Sequence, residues 1–126
     1  FTGDTLFSLG CGRVFEGTHE EMFSSLNKIK NLPLDTKIYC GHEYTKSNLN
    51  FCLKHDSKNP YLKDKKIDIE KKLNSNQPTI PSTIADEIKT NIFLRCNDLE
   101  IKQGLGLKDS SDVEVFSKLR DLKDTF

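Results

Sequence analysis

The stretch Lys37-Ile38-Tyr39-Cys40-Gly41-His42-Glu43-Tyr44 decides how this chain is read. Four residues of strand character run straight into a glycine and a histidine. A second segment, Phe1-Thr2-Gly3-Asp4-Thr5, ends the same way on an aspartate. Side chains at the carboxyl ends of neighbouring strands converge on a shared crevice, where α/β arrangements place their chemistry. Asp4 and His42 are both metal-capable. One carboxylate and one imidazole make only part of a metal site, because a catalytic centre normally draws at least three protein ligands. The chain therefore reads as part of an active site.

The pattern extends outward from these segments. Leu6-Phe7-Ser8-Leu9 is a short apolar run, and Gly10-Cys11-Gly12 and Gly17 punctuate a loop that carries Arg13, Phe15 and Glu16. Thr18-His19-Glu20-Glu21 is a capping box, and the helix it opens puts Met22, Phe23, Leu26 and Ile29 on one face. Asn31-Leu32-Pro33 stops that helix before the Lys37–Cys40 strand. The order β-α-β implies an α/β layer.

After Tyr44 the pattern predicts helices and no strand. Residues 45–55 group Leu49, Cys52 and Leu53. Asn59-Pro60 opens a Lys-rich helix with Tyr61, Ile67 and Leu73 expected inward. Residues 74–81 form a loop, and Ser82 or Thr83 caps a short helix with Ile84, Ala85 and Ile88. Gly104 and Gly106 break the chain. Ser111-Asp112-Val113-Glu114 caps a last helix carrying Val115, Leu119 and Leu122. The fold class is α+β, dividing near residue 45 into an α/β piece (1–44) and a helical piece (45–126).

Composition narrows the functions. The chain has 126 residues, 35% of them hydrophobic and 30% charged, enough for one domain with a thin core. Lys plus Arg (19) equals Asp plus Glu (19), so there is no broad electrostatic footprint for nucleic acid or an anionic membrane. No apolar run approaches the roughly 20 residues of a membrane span. The opening residues carry neither a signal peptide nor an initiator Met and read as the middle of a domain, so they say little about targeting. The cysteines (Cys11, Cys40, Cys52, Cys96) form no C-x-x-C pair, which excludes zinc-ribbon and thioredoxin-type motifs. Scattered thiols suit a reducing compartment, so a cytosolic location is expected, with an organellar form left open.

Several motifs occur together and in order. Phe1-Thr2-Gly3-Asp4-Thr5-Leu6-Phe7, Gly10-Cys11-Gly12-Arg13 and Glu16-Gly17-Thr18 are followed by Tyr39-Cys40-Gly41-His42-Glu43-Tyr44-Thr45. Then come Pro78-Thr79-Ile80-Pro81-Ser82-Thr83, Asn91-Ile92-Phe93-Leu94-Arg95 and the run from Leu119 to Phe126. From end to end this set resembles the glyoxalase II (hydroxyacylglutathione hydrolase) family of the metallo-β-lactamase superfamily.

The resemblance implies the C-terminal portion of an αββα sandwich (1–44) followed by an all-helical glutathione-binding domain (45–126). It implies hydrolysis of S-D-lactoylglutathione to glutathione and D-lactate. Two divalent metal ions, usually zinc, with iron or manganese as alternatives, would hold a bridging hydroxide in the complete enzyme. Asp4 matches the carboxylate that bridges both ions, and His42 a terminal ligand of one. The family's T-H-x-H-x-D-H motif and a further ligand His are not in this sequence. The isolated chain is therefore expected to be inactive and to hold no metal stably. The missing half of the protein becomes its natural partner, and the isolated piece is expected to self-associate through an uncovered sandwich interior.

Arg13, Phe15, Tyr44, Arg120 and Lys123 match family positions that contact glutathione. Cations and hydrogen-bond donors suit its carboxylates and amides. Arg120 and Lys123, three apart on the last helix, can share a face as a cationic clamp. Phe15 departs from the family's frequent Tyr and forfeits a neutral hydrogen bond of about 1 kcal/mol. A Phe15→Tyr variant of the complete enzyme should lower KM. Taken singly, the blander readings hold: Asp4 as a turn residue, a lone His as an ordinary surface residue, Arg120 and Lys123 as a solvated face. The ordered motif set reverses them for these residues. It lends nothing to His19 or His55, which read as surface residues. Cys11 and Cys40 read as packing residues, with no visible base to make either a nucleophile.

Two rival functions stand beside this one. Another superfamily member, such as a persulfide dioxygenase or lactonase, would share the metal ligands. A glutathione-binding module without metals would share the clamp.

Overall fold

The computed structural model describes residues 1–14 and 17–126; Phe15 and Glu16 lie outside them. Two short strands, β1 (Leu6–Phe7) and β2 (Gly10–Cys11), form an antiparallel hairpin with Leu6 opposite Cys11 and Phe7 opposite Gly10. Leu9 turns the hairpin with φ +62°, a left-handed conformation costing a non-glycine residue about 1 kcal/mol or more. Gly10-Cys11, expected in a loop, is thus a strand. Helix α1 (His19–Lys30) follows, and the Thr18 hydroxyl accepts from the Glu21 amide at 3.2 Å. Strand β3 (Lys37–Ile38) comes next.

Helices α2 (Thr45–His55) and α3 (Pro60–Asn74) lead to β4 (Ser82–Thr83). Then follow α4 (Ile84–Thr90), a 3-10 turn at Ile92–Leu94, α5 (Leu99–Gly104) and α6 (Asp112–Asp124). Strand β4 corrects the expectation of no strand after Tyr44: it pairs antiparallel with β3, Lys37 opposite Thr83 and Ile38 opposite Ser82. A two-residue strand leaves no periodic signal to read. Among the described residues no helix is long and apolar enough to cross a membrane.

One apolar core runs through both stretches of the chain. Leu6, Leu9, Leu26 and Ile38 share it with Leu49, Phe51, Ile84, Phe93, Phe116 and Leu119. Its aromatic spine stacks Phe51 on Phe93 at 5.8 Å and sets Phe93 edge-on to Phe116 at 5.9 Å. In α3 the inward stripe is Leu62 and Ile69, two turns apart. Tyr61 and Ile67 are half or more exposed and Leu73 lies at the margin, so the expected inward face is rotated. The Lys-dense sequence of α3 offers two competing apolar stripes. Asn59, bonded to Tyr61 N at 3.0 Å and to the Lys89 carbonyl at 2.7 Å, sets the helix start and so its rotation.

Candidate functional site

Asp4 and His42 meet because residues 1–4 run parallel to 39–41. Thr2 N donates to the Tyr39 carbonyl at 2.9 Å, Gly41 N donates to the Gly3 carbonyl at 2.8 Å, and Gly3 and Cys40 form a parallel bridge. This is a single bridge rather than the two full strands the sequence suggested. It still sets the ends of both segments side by side. His42 Nδ1 lies 3.0 Å from Asp4 Oδ1, and both side chains are open to solvent. Gly41 preserves that approach, since a β-carbon there would fall 3.1 Å from Asp4 Oδ1.

A cleft of about 400 Å³ opens over the pair, lined by Asp4, Arg13, His42, Tyr44, Arg120 and Lys123. Every site residue singled out above lines it except Phe15, which lies outside the described residues. Tyr44 stacks flat on His42, with ring centroids 4.8 Å apart and planes parallel. Phe7, Ser47 and Asn48 also line the cleft and were not singled out. The signal for Ser47 and Asn48 was their spacing from Tyr44, one turn along α2.

The cationic side is unevenly committed. Arg120 is 3% exposed. Its Nη1 donates to the carbonyls of Cys11 (2.6 Å) and Gly12 (3.1 Å), and Nη2 lies 3.0 Å from Asp124 Oδ1. Lys123 is three residues on, over the Phe126 ring at 5.6 Å. Burial lowers its pKa, and the neighbouring Arg120 and Arg13 charges lower it further. Arg13 is mostly exposed, with Nε 3.7 Å from Asp124 Oδ1.

The cysteines beside the motifs are not poised nucleophiles. Burial pushes the Cys11 thiol up to about 11 despite Arg120 nearby. The Cys40 thiol donates to the His42 carbonyl at 3.3 Å. Glu43, between His42 and Tyr44, is a structural tie. It accepts from Thr79 N at 2.9 Å and Ile80 N at 3.1 Å, joining the 74–81 loop to the cleft. His19 and His55 are partly buried rather than on the open surface; they pack against Phe116 (6.1 Å) and Phe51 (4.6 Å).

The hairpin wall is held from behind by side chains that come later in the chain. Asn91 Nδ2 donates to the carbonyls of Phe7 (3.3 Å) and Gly10 (3.0 Å), and Asn48 Nδ2 donates to that of Ser8 (3.1 Å). The Cys52 thiol donates to the Leu9 carbonyl (3.3 Å). With Arg120 on Cys11 and Gly12, each carbonyl from Phe7 to Gly12 has a side-chain donor from beyond Tyr44.

Asp4 and His42 are donors of the right kind for a divalent ion. Among the described residues no group of three or more His, Cys, Asp or Glu is placed to hold one. Among the described residues the pair offers only part of a coordination sphere, since a catalytic centre normally draws at least three protein ligands.

One small cleft thus brings together a carboxylate, an imidazole, a lysine and two arginines. The chain belongs to the family described as hydroxyacylglutathione hydrolase C-terminus, whose model matches residues 43–126. Along its whole length it is 58% identical to a hydroxyacylglutathione hydrolase of Pelagibacter ubique (strain HTCC1062), covering 47% of that protein. It is also 50% identical to a protein of that name in Chelativorans sp. (strain BNC1) and 52% to one in Brucella anthropi, covering 49% and 48% of them. The chain spans about half the length of the curated relatives it matches.

Proposed function

We propose that this chain supplies the glutathione cleft and two metal ligands of a thioester hydrolase that converts S-D-lactoylglutathione to glutathione and D-lactate. The observation that carries this is the convergence of Asp4, His42, Tyr44, Arg13 and Lys123 on one cleft, with Asp4 and His42 3.0 Å apart. The name its relatives share supports the reading.

Asp4 and His42 would hold divalent ions together with donors outside this chain. Zinc is the first choice for such a nitrogen and oxygen donor set, with iron or manganese as alternatives. Bound there, the ions would activate a water and polarise the thioester carbonyl. The chain's own residues do the rest. Lys123 and Arg13 pair with the glutathione carboxylates, and Tyr44 presents its hydroxyl while its ring fixes the His42 plane. Arg120 keeps the Cys11-Gly12 wall in place beneath them. We also propose a cytosolic location for the complete protein, because the four free cysteines of this chain suit a reducing compartment.

The test measures metal content and S-D-lactoylglutathione hydrolysis on this chain and on the full-length protein under identical conditions. An active, metal-loaded full-length protein beside an inactive chain supports the reading. Glutathione binding without turnover by the metal-loaded full-length protein would favour a binding module. Turnover of a lactone or persulfide instead would favour another superfamily activity.

A further inference from the structure

Phe7 touches both chemistry-bearing rings of the cleft. Its ring stands edge-on to His42 at 6.1 Å and to Tyr44 at 5.2 Å, at 68° to each. The backbone under that ring is gripped from behind. Asn91 Nδ2 reaches the carbonyls of Phe7 and Gly10, which face each other across the hairpin. Asn91 is oriented in turn: its Nδ2 lies 3.0 Å from Glu87 Oε1, and its Oδ1 accepts from Phe93 N at 3.0 Å. Glu87 also accepts from Leu9 N at 2.8 Å and from the Ser82 hydroxyl at 2.6 Å. Both residues are 0% exposed, and neither lines the cleft.

A buried carboxyl and a buried amide are costly to desolvate, and an apolar pair could fill the same space. What an apolar pair lacks is direction. Glu87 and Asn91 take hold of both strands and of the left-handed turn residue between them, which fixes the hairpin's height and twist. Because Phe7 rises from that hairpin into the cleft, its ring transmits the setting to His42 and Tyr44.

We propose that Glu87 and Asn91 are positioning residues for the cleft, acting through Phe7 on the orientation of His42 and Tyr44. This rests on the hydrolase reading above. The test uses full-length protein and steady-state hydrolysis of S-D-lactoylglutathione. Each variant is assayed at a temperature where circular dichroism shows it fully folded. Glu87→Ala and Asn91→Ala should lower kcat and raise KM, cutting kcat/KM by about ten-fold, since small displacements of reacting groups cost rate steeply. Glu87→Gln can keep every hydrogen bond, with its amide donating to Ser82, and should recover kcat/KM to within about two-fold of wild type.

Fully folded alanine variants with wild-type kcat and KM and only a lower Tm would overturn the proposal. So would a Gln variant as impaired as Ala. If the alanine variants fail to fold, Phe7→Leu decides: a fall in kcat supports the proposal, and an unchanged kcat overturns it. A wild-type protein that cannot hydrolyse the thioester overturns the proposed function itself, whereas active wild type beside unaffected variants sinks only this inference.

Discussion

The carbonyl oxygen of Asp4 lies where residue 12 has no room for a side chain: a β-carbon on Gly12 would fall 1.8 Å from it. The obstacle is backbone, which cannot swing aside. Gly12 N also donates to the Thr5 carbonyl at 3.1 Å, so the two segments are locked edge to edge. Gly12→Ala should push the Asp4 segment away from His42 and destabilise the fold by about 3 kcal/mol, at the upper end of overpacking costs. Urea denaturation of the chain, with activity of the full-length variant beside it, checks this. A stability within error of wild type would show that the contact is looser than the geometry says.

Lys123 is freer to meet a ligand than Arg120, which is committed to carbonyls and Asp124. Lys123→Ala in the full-length protein should raise KM by about ten-fold with kcat nearly unchanged, the mark of lost uniform binding to a carboxylate. A fall in kcat at constant KM would assign it to the chemistry instead.

Arg120 should behave differently from Lys123 although it is one turn away. Arg120→Ala strips the Cys11 and Gly12 carbonyls of their donor and should cost about 3 kcal/mol of folding stability. Arg120→Lys should recover little, because one ammonium cannot span two carbonyls and a carboxylate. Thermal melts of the three proteins decide it; a fully restored Tm in the Lys variant would reduce Arg120 to a simple charge.

Burial raises the Glu87 carboxyl above its ordinary 4.5, against the lowering effects of Ser82, Leu9, Asn91 and, more weakly, Lys65. Over the window from 4.5 up to that raised value the native state keeps a proton the unfolded chain has lost. Its contribution to stability therefore falls as pH rises through the window and levels off above it. Glu87→Gln removes the fall, so its stability relative to wild type should improve between about pH 4 and about pH 8. Urea denaturation at both pH values reads the difference; an unchanged difference would place the Glu87 pKa at its ordinary value.

The site was more legible than the framework that holds it. Asp4, His42 and Tyr44 sit in short segments whose residue types carry the chemistry, and the cap at Thr18 is a local bond to Glu21 that a four-residue pattern can encode. Glu87 gave no signal, and Asn91 entered only within the Asn91–Arg95 motif, with no role attached to its side chain. An acid in a short helix and an amide just past its end look like surface, and their partners at Leu9 and Phe7 lie far back along the chain. The inward face of α3 was misread for a related reason: Leu62 and Ile69 face inward because Asn59 is anchored to Lys89, a tertiary contact invisible to periodicity.

The bond from Arg120 to the Cys11 carbonyl closes a loop of 109 residues. Contacts so distant in sequence are among the slowest to form, because chain entropy must be lost before they return any energy. The cleft is therefore an endgame of folding rather than an early landmark. Until α6 docks, the Cys11 and Gly12 carbonyls lack their Arg120 donor, so the wall of the cleft is completed by the far end of the chain.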